Sequence, residues 1–350
     1  MIGAMLAPLT AQAAEDWDAI LEAAKAEGPV VVYTTLNPQN WEVILGGFNE
    51  VYPDIEVTPK RTGSNAETFE RWRAEKASGT RTADVLMATG PDQWLAMGGQ
   101  GDLISFEPSD AEMLPPFAIK PEGYFTLSID PQPMIFNKLL LSEEQQPTGL
   151  KDLVAKIEQY PEVFEGKIGS YNPMVSPFSY SVYTGLMQHH GDEFWPLIDK
   201  LAPNLRFEQT AGVMTDKVQT GEYVAAFMLP RALLPSKLEG AQARVLGITF
   251  LDDGTVVLSR DMGVVEGGSS PNGGKLLVNY LMTEAGQKVV GEAGLTPYYP
   301  GIEADVQFHY NTIAPEGIDP EMGVAYFDYS PEVDAAMDDW RARFLEATEK

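Results

Sequence analysis

The stretch Gly28-Pro29-Val30-Val31-Val32-Tyr33-Thr34-Thr35-Leu36 decides how this chain folds. Its β-branched middle predicts a short buried strand, and Gly28-Pro29 ends the helix that precedes it. Apolar residues spaced as on one helical face flank the strand, over 17–24 and 41–48. The stretch is therefore one strand of a helix–strand–helix alternation, which is typical of a mainly parallel sheet with helices on both faces.

The same alternation continues along the chain. Short strands are predicted at 55–57 and 84–87, and a helix that begins after Ser64 lies between them. From residue 147 the rhythm repeats with a different sequence. Because 350 residues exceed one ordinary core, two lobes are predicted. The predicted fold class is α/β, with two doubly wound α/β lobes.

The composition is that of a globular protein with an acidic surface. The chain is 44% hydrophobic and 21% charged, and its formal net charge is −27. Such a surface repels phosphate backbones and anionic lipid, which argues against nucleic acid or a membrane surface as a partner. The sequence has no cysteine. This excludes disulfides, thiolate metal sites and a lipid-modified N-terminal cysteine.

The first residues predict export. Residues 1–10 are apolar or small, Ala11-Gln12-Ala13 then forms a pattern that signal peptidase cleaves, and acidic residues follow from Glu15. No Lys or Arg precedes Lys25, so the basic start of a signal peptide is missing. We expect residues 1–14 to be a signal-peptide remnant, and the protein to be periplasmic, soluble and not lipid-anchored.

Four stretches, taken together, resemble one family. They are 27–34, Ile135-Phe136-Asn137-Lys138, Gly221-Glu222-Tyr223-Val224-Ala225-Ala226 and 270–287. In this order and spacing they resemble the type 2 periplasmic solute-binding proteins of ABC transporters, in the branch that contains the ferric-binding proteins (extracellular solute-binding protein family 1). The resemblance implies two lobes joined by two crossover strands, with a ligand bound in the cleft by hinge closure.

The resemblance also fixes the expected domains and partners. The two crossings are predicted near 128–133 and 249–255. The first lobe then comprises 15–129 plus 254–350, and the second lobe comprises 130–253. A monomer without a cofactor is implied, which delivers a small-molecule ligand to ABC permease subunits in the inner membrane.

The candidate ligand-binding residues lie where strands end and helices begin. In parallel sheets, ligands bind at the carboxyl ends of the strands, where hydroxyls, amides and helix-start N–H groups can reach them. Arg231 and Arg260 could pair with an anion in a fork geometry. Each candidate also has a structural alternative, such as helix capping for Ser64, packing for Tyr180 and a surface ion pair for Arg231. The predicted set is Thr34, Thr35, Ser64, Asn65, Thr89, Gly90, Ser176, Phe178, Tyr180, Thr210, Arg231 and Arg260.

These residue types favour a small organic anion, such as a phosphonate, a phosphate ester or a carboxylate. In the ferric branch a tyrosine pair follows the Gly221-Glu222 strand, but residues 227–231 here read Phe-Met-Leu-Pro-Arg. The missing pair argues against ferric iron, which is kept only as an alternative. The adjacent Tyr298-Tyr299 is predicted to pack in a loop. A cationic solute, such as a polyamine or a thiamine-like molecule, is another alternative and would use Asp130 and Glu266.

The sequence does not predict an enzyme. It has no nucleophile elbow, no zinc-protease motif, no P-loop and no dinucleotide-binding loop after the first strand. His189 and His190 fall at a predicted helix end, and His309 is isolated. Two alternatives from other classes stay open because a fold does not decide a function. One is a periplasmic enzyme on the same fold, and the other is a ligand-sensing module for a receptor.

Overall fold

The computed structural model of the protein describes residues 15–231, 244–327 and 329–349. The predicted signal-peptide remnant, 1–14, therefore lies outside the described residues. In chain order the strands are β1 (Val30–Thr34), β2 (Val57–Arg61), β3 (Val85–Ala88), β4 (Phe125–Pro131), β5 (Met134–Asn137), β6 (Ile168–Tyr171), β7 (Leu205–Glu208), β8 (Ala225–Ala226), β9 (Leu246–Thr249), β10 (Thr255–Val264) and β11 (Val324–Tyr326).

The helices alternate with these strands through most of the chain. In the described segments, no helix combines the length and the apolar composition that crossing a bilayer requires. In chain order they are α1 (Trp17–Lys25), α2 (Pro38–Val51), α3 (Asn65–Ser78), α4 (Pro91–Gln100), α5 (Leu150–Gln159), α6 (Pro161–Phe164), α7 (Pro177–His190), α8 (Phe194–Leu201), α9 (Ala211–Thr220), α10 (Pro271–Met282), α11 (Glu284–Glu292), α12 (Pro320–Gly323), α13 (Pro331–Ala335) and α14 (Met337–Thr348).

The strands form two sheets. The first sheet has the order β11-β10-β3-β1-β2, with β4 also paired to β10, and the second has the order β7-β6-β8-β5-β9. Strand β1 runs parallel to β2 and β3, and β6 runs parallel to β7 and β8. Antiparallel pairs involve β5 and β10. The α/β fold class predicted from the sequence is confirmed.

Strand β1 shows why the first sheet needs helices on both faces. Successive side chains of a strand point to opposite faces. Val30 and Val32 pack in one apolar cluster, with side chains of α1, α2, α10 and α11. Val31 and Tyr33 pack in a different cluster, with side chains of α3 and α4. The whole strand is buried for this reason, as its continuous β-branched sequence predicts.

The chain passes between the two sheets at two short connections. Only Gln132 and Pro133 separate β4 in the first sheet from β5 in the second. The chain returns over residues 250–254, between β9 in the second sheet and β10 in the first. Both connections fall in the segments where the sequence predicts crossings, and they divide the protein into a first and a second lobe around the two sheets.

The end of the chain packs differently from the predicted domain division, which assigns all of 254–350 to the first lobe. Helix α14 places Trp340, Phe344 and Ala347 in the core cluster of the second lobe, against side chains that include Tyr183 and Phe194. Large aromatic side chains such as Trp340 and Phe344 contribute much of the apolar area that stabilises a core. The last helix therefore adds to the second lobe, whereas α10 and α11 pack on the first.

The prediction of the second strand at 55–57 is wrong. Strand β2 starts at Val57 and continues through Pro59 to Arg61. Proline has no N–H group, so within a sheet it is confined mostly to edge strands, strand starts and bulges. Since β2 is the edge strand of the first sheet, it pairs only with β1 and tolerates the proline.

Candidate functional site

A cavity of about 600 Å³ lies between the lobes. From the first lobe, the starts of α3 and α4 line it. From the second lobe, the start of α7 lines it, together with the segment 329–337 that precedes α14. Leu258 on the returning strand β10 contributes as well. A cavity of this size suits a small-molecule ligand, because such sites commonly measure about 300–1,000 Å³.

Three helices present their N-terminal turns to this cavity. Helix α3 follows β2 and is capped by Ser64, whose Oγ accepts a hydrogen bond from the N–H of Glu67 at 3.1 Å. Helix α4 follows β3 and begins after Gly90. Helix α7 follows β6 and is capped by Ser176 in the same way as α3. Helix N-termini carry free N–H groups and a partial positive charge, so this arrangement favours a negatively charged ligand group.

Gly90 lets the start of α4 approach α3 closely. A Cβ atom at this position would lie 2.8 Å from Cε2 of Phe69. The Phe69 ring is itself held edge-on to Trp94, with the ring centroids 5.2 Å apart. A side chain on residue 90 would therefore push the Phe69 ring, which lines the cavity.

A chain of hydrogen bonds orients Asn65 at the cavity wall. Arg260 donates from one guanidinium nitrogen to Asp130 at 3.0 Å and from another to the Thr35 hydroxyl at 2.9 Å. The Thr35 hydroxyl donates to Oδ1 of Asn65 at 3.3 Å, and the N–H of Thr89 donates to the same oxygen at 3.2 Å. Within the described part of the chain, the Asn65 amide NH₂ has no partner, so it is free to donate to a ligand.

One face of α3 continues the lining beyond the helix start. Ala66, Phe69, Glu70 and Arg73 all line the cavity, and their spacing places them on one side of the helix. Arg73 is half-buried. It makes no hydrogen bond or ion pair with any residue in 15–231, 244–327 or 329–349. Its guanidinium is therefore available to an anion in the cavity.

The opposite wall comes from the second lobe. The hydroxyl of the buried Tyr180 donates to the carbonyl of Val333 at 2.8 Å, which ties α13 to α7. The Tyr329 hydroxyl donates to Asp334 at 2.8 Å. Burial, and then this hydrogen bond, raise the pKa of Tyr329, so the phenol is neutral at physiological pH. Met337 completes this wall.

The structure brings five of the predicted residues to the cavity and places seven elsewhere. Those that line it are Asn65, Thr89, Gly90, Phe178 and Tyr180. Ser64, Ser176 and Thr210 serve as helix caps, and Thr34 is buried at the end of β1. Thr35 and Arg260 do not line the cavity, but Thr35 donates a hydrogen bond to Asn65, and Arg260 donates one to Thr35.

Arg231 lies at the junction between the lobes and does not line the cavity. It is 5% exposed and donates to the Gly294 carbonyl and the Thr296 hydroxyl, both at 3.2 Å. Its guanidinium also stacks on the Phe308 ring at 4.0 Å. Burial lowers the pKa of Arg231. Contacts with distant parts of the chain determine where Arg231 lies. Its place at the end of a predicted strand therefore did not indicate whether it lines the cavity.

The residues proposed for the alternative ligands also have other partners. Tyr298 and Tyr299 are buried, and their hydroxyls donate to the Thr126 carbonyl and to Asp110. Asp130 accepts from Arg260, as described above. Neither tyrosine lines the cavity.

A buried carboxylate lies next to Arg260 on β10. Asp261 is 1% exposed, and it accepts hydrogen bonds from the hydroxyls of Ser259 at 2.8 Å and Thr126 at 3.2 Å. Burial raises the pKa of Asp261 to about 6, and the two hydroxyls and the charges of Lys120 and Arg260 oppose that rise only in part. An aspartate in an unfolded chain has a pKa of about 3.9.

Asp261 should make the protein less stable as the pH rises. Because the native pKa exceeds the unfolded value, the native state binds this proton more tightly, and the free energy of unfolding falls between about pH 4 and pH 6. Asp261→Asn should remove this dependence, so that the variant gains roughly 1–3 kcal/mol relative to wild type from about pH 4.5 to about pH 7.5. Urea unfolding of both proteins across this range measures the difference. A difference that is constant with pH would contradict the prediction.

Comparison with known proteins places this cavity in a wider context. The sequence profile of the bacterial extracellular solute-binding proteins matches residues 34–288. No functionally curated relative matches the sequence. Many solved structures share the fold, and three of them are described next.

The substrate-binding protein of an ABC transporter from Agrobacterium tumefaciens is 19% identical, with a TM-score of 0.71 over 93% of this chain and 97% of that chain. Iron-bound HitA from Pseudomonas aeruginosa is 17% identical, with a TM-score of 0.65 over 89% and 98%. AfuA from Actinobacillus pleuropneumoniae, with fructose-6-phosphate bound, is 19% identical, with a TM-score of 0.62 over 91% and 99%. At such identities the likeness is one of fold.

Proposed function

Because the chain belongs to the bacterial extracellular solute-binding proteins, we propose that it captures a small organic anion in the cavity between its lobes and delivers it to an ABC importer. The ligand is a phosphonate, a phosphate ester or a carboxylate. The protein acts in the periplasm as a soluble monomer, and its partners are the permease subunits. Members of this family are in general not enzymes, and we propose no catalysis here.

One observation carries this proposal. The N-terminal turns of α3, α4 and α7 meet at one cavity whose lining includes the unpaired guanidinium of Arg73. Helix-start N–H groups and arginine are the two donor types that proteins use most often for oxyanions. The Asn65 amide adds a further free donor, and Arg260 and Thr35 hold it in position.

The remaining residues of the cavity lining indicate the chemical character of the ligand body. Apolar and aromatic side chains cover more of the cavity wall than polar groups do, and they include Phe69, Phe178, Tyr329 and Met337. Burial of apolar area drives most small-molecule binding, whereas a few polar groups set the orientation. We therefore expect an anionic head on an apolar or aromatic body. AfuA, which shares the fold, has the anion fructose-6-phosphate bound.

A second candidate ligand is ferric iron, and a specific observation favours testing it. Tyr180 and Tyr329 both line the cavity, and phenolates are hard oxygen donors that suit this ion. Both hydroxyls donate within the protein, however, to Val333 and to Asp334. Iron binding would require Tyr180 and Tyr329 to give up these hydrogen bonds and lose their protons.

A thermal-shift series on the full chain tests the proposal. The series contains phosphonates, phosphate esters, carboxylates, a polyamine and a ferric salt. A ligand that binds only the native state stabilises it and therefore raises the melting temperature. At a ligand concentration of 100 times the Kd, the free energy of unfolding increases by about 2.7 kcal/mol. We expect organic anions to produce the largest shifts. Shifts with the ferric salt or the polyamine alone would overturn the anion assignment, although the protein would remain a solute-binding protein.

A further inference from the structure

The charged side chains that line the cavity indicate a second charged group on the ligand, in addition to its anionic head. Resting on the function proposed above, we propose that the ligand is a zwitterion, in which an apolar or aromatic body joins the oxyanion to an ammonium group. The oxyanion binds Arg73 and the helix starts. The ammonium group binds the carboxylates and the aromatic rings on the same cavity wall.

The first argument is charge balance. Among the described residues that line the cavity, Arg73 is the one with a positive charge, whereas Glu70, Asp92 and Asp334 are acidic. When two lobes close on a ligand, these groups lose water, and a buried charge without a partner is costly. An anion without an amine would satisfy Arg73 and leave the three carboxylates of the cavity lining without a positively charged partner there. An added ammonium group offsets part of that excess.

The second argument comes from α3. Glu70 and Arg73 are one helical turn apart and both line the cavity, a spacing at which opposite charges commonly pair. Here they do not pair. In the described ranges, Glu70, like Arg73, makes no hydrogen bond or ion pair. The helix thus offers one free carboxylate and one free guanidinium to the same cavity, which matches a ligand with both charges.

The third argument is the wall formed by the C-terminal segment. Asp334 accepts the Tyr329 hydroxyl through Oδ1, which leaves Oδ2 for a ligand. Asp92, which belongs to the first lobe, lines the same cavity as Tyr329, and its negative charge helps to raise the pKa of that phenol. Carboxylates beside aromatic faces are a favourable environment for an ammonium group, since the ring quadrupole attracts a cation. Phe178 supplies another ring from α7.

Matched ligand triples test the proposal by titration calorimetry on the full chain. One triple is 3-phenylpropionate, phenylalanine and phenethylamine, and the other is ethyl phosphate, phosphoethanolamine and ethanolamine. Within each triple the body is the same, and the members are an anion, a zwitterion and a cation. In at least one triple, we expect the zwitterion to bind about 10-fold or more tightly than either other member.

The isosteric variants Asp92→Asn and Asp334→Asn, alone and combined, assign that preference to the acids. In the double variant the preference for the zwitterion over the anion should fall to about 3-fold or less, and the anion itself should bind as well as before or more tightly. Asp54→Asn is the matched control, because Asp54 is exposed on the first lobe and does not line the cavity. It should leave every affinity unchanged.

The outcomes separate this proposal from the one on which it rests. If the anion binds at least as tightly as the zwitterion in both triples, the ligand is not a zwitterion, but the anion-binding function stands. If the preference for the zwitterion persists both in the double variant and in Glu70→Gln, the carboxylates do not recognise the amine, and the inference is overturned. If only the cations bind, or if no member binds at about 10 mM, both proposals are overturned.

Discussion

Arg73→Ala should weaken binding of the tightest anion of the thermal-shift series by about 30- to 100-fold, or roughly 2–3 kcal/mol. The guanidinium is half-buried at the cavity and has no partner in the described part of the chain, so its removal strains nothing within the protein. The loss should therefore appear in the Kd for the ligand and leave the melting temperature of the unliganded protein within about 1–2 °C of wild type. Titration calorimetry and a thermal melt measure the two quantities.

Arg81→Ala is the matched control. It removes the same charge from the same lobe, but Arg81 is exposed near the amino ends of β1 and β3, where it donates to the Pro29 carbonyl at 3.0 Å. Its effect on the Kd should be less than about 3-fold, because screening weakens charges that are more than about 10 Å apart in water. Equal losses in the two variants would mean that Arg73 acts through the overall charge of the protein, and would contradict a direct contact.

The fold was largely predictable because its signals are local. The β-branched stretch at 30–34, the Gly-Pro boundary before it and the apolar helical faces around it all act within one supersecondary unit. Each such unit buries a strand between helices, and repeated units lead to a doubly wound sheet. A strand was predicted at 55–57, but its continuation through Pro59 was not, because the tolerance of a proline depends on which strand lies at the edge, and topology alone decides that.

The candidate site was predictable only at helix starts that follow parallel strands, where ligands commonly bind. Asn65, Thr89 and Gly90 were found because they stand at helix starts after parallel strands. Arg73 lies two turns into α3, where helical periodicity does place it on the face of Ala66. That face could have been identified from the spacing, but nothing local indicates that it borders a cavity rather than bulk solvent.

The wall from the C-terminal segment could not be predicted in this way. Tyr329, Asp334 and Met337 reach the cavity because α14 packs on the second lobe, and that contact joins residues more than 100 positions apart. Arg231 lies away from the cavity for a similar reason, since its partners Gly294 and Thr296 lie more than 60 positions away along the chain. Long-range packing decides both positions.

The largest expected effect on stability is that of Asp84→Ala, which should lower the free energy of unfolding by roughly 3–4 kcal/mol. The Asp84 side chain is fully buried at the start of β3. Its two carboxylate oxygens accept hydrogen bonds from the N–H groups of Val31 and Ser270, both at 2.7 Å. Alanine would leave two buried donors without an acceptor, and each charge-assisted hydrogen bond contributes about 1.5–3 kcal/mol.

The backbone of a neighbouring loop lies close against the Asp84 carboxylate. A Cβ atom on Gly268 would lie 2.6 Å from Oδ1 of Asp84, so the loop between β10 and α10 wraps this side chain closely. The carboxylate therefore joins β1, β3 and the start of α10, and more than 200 residues of sequence separate β1 from α10. Loss of these contacts should loosen the first lobe before the second.

Urea unfolding followed by circular dichroism measures the effect, with two further variants for comparison. Asp84→Asn keeps one acceptor oxygen and places an NH₂ group against an N–H donor, so it should lose at least half as much stability as Asp84→Ala. Asp54→Ala removes an exposed carboxylate of the same lobe and should change the stability by less than about 0.5 kcal/mol. If Asp84→Ala unfolds at the same urea concentration as Asp54→Ala, then water or a shift of the loop replaces the lost acceptor, and the carboxylate does not hold the three elements together.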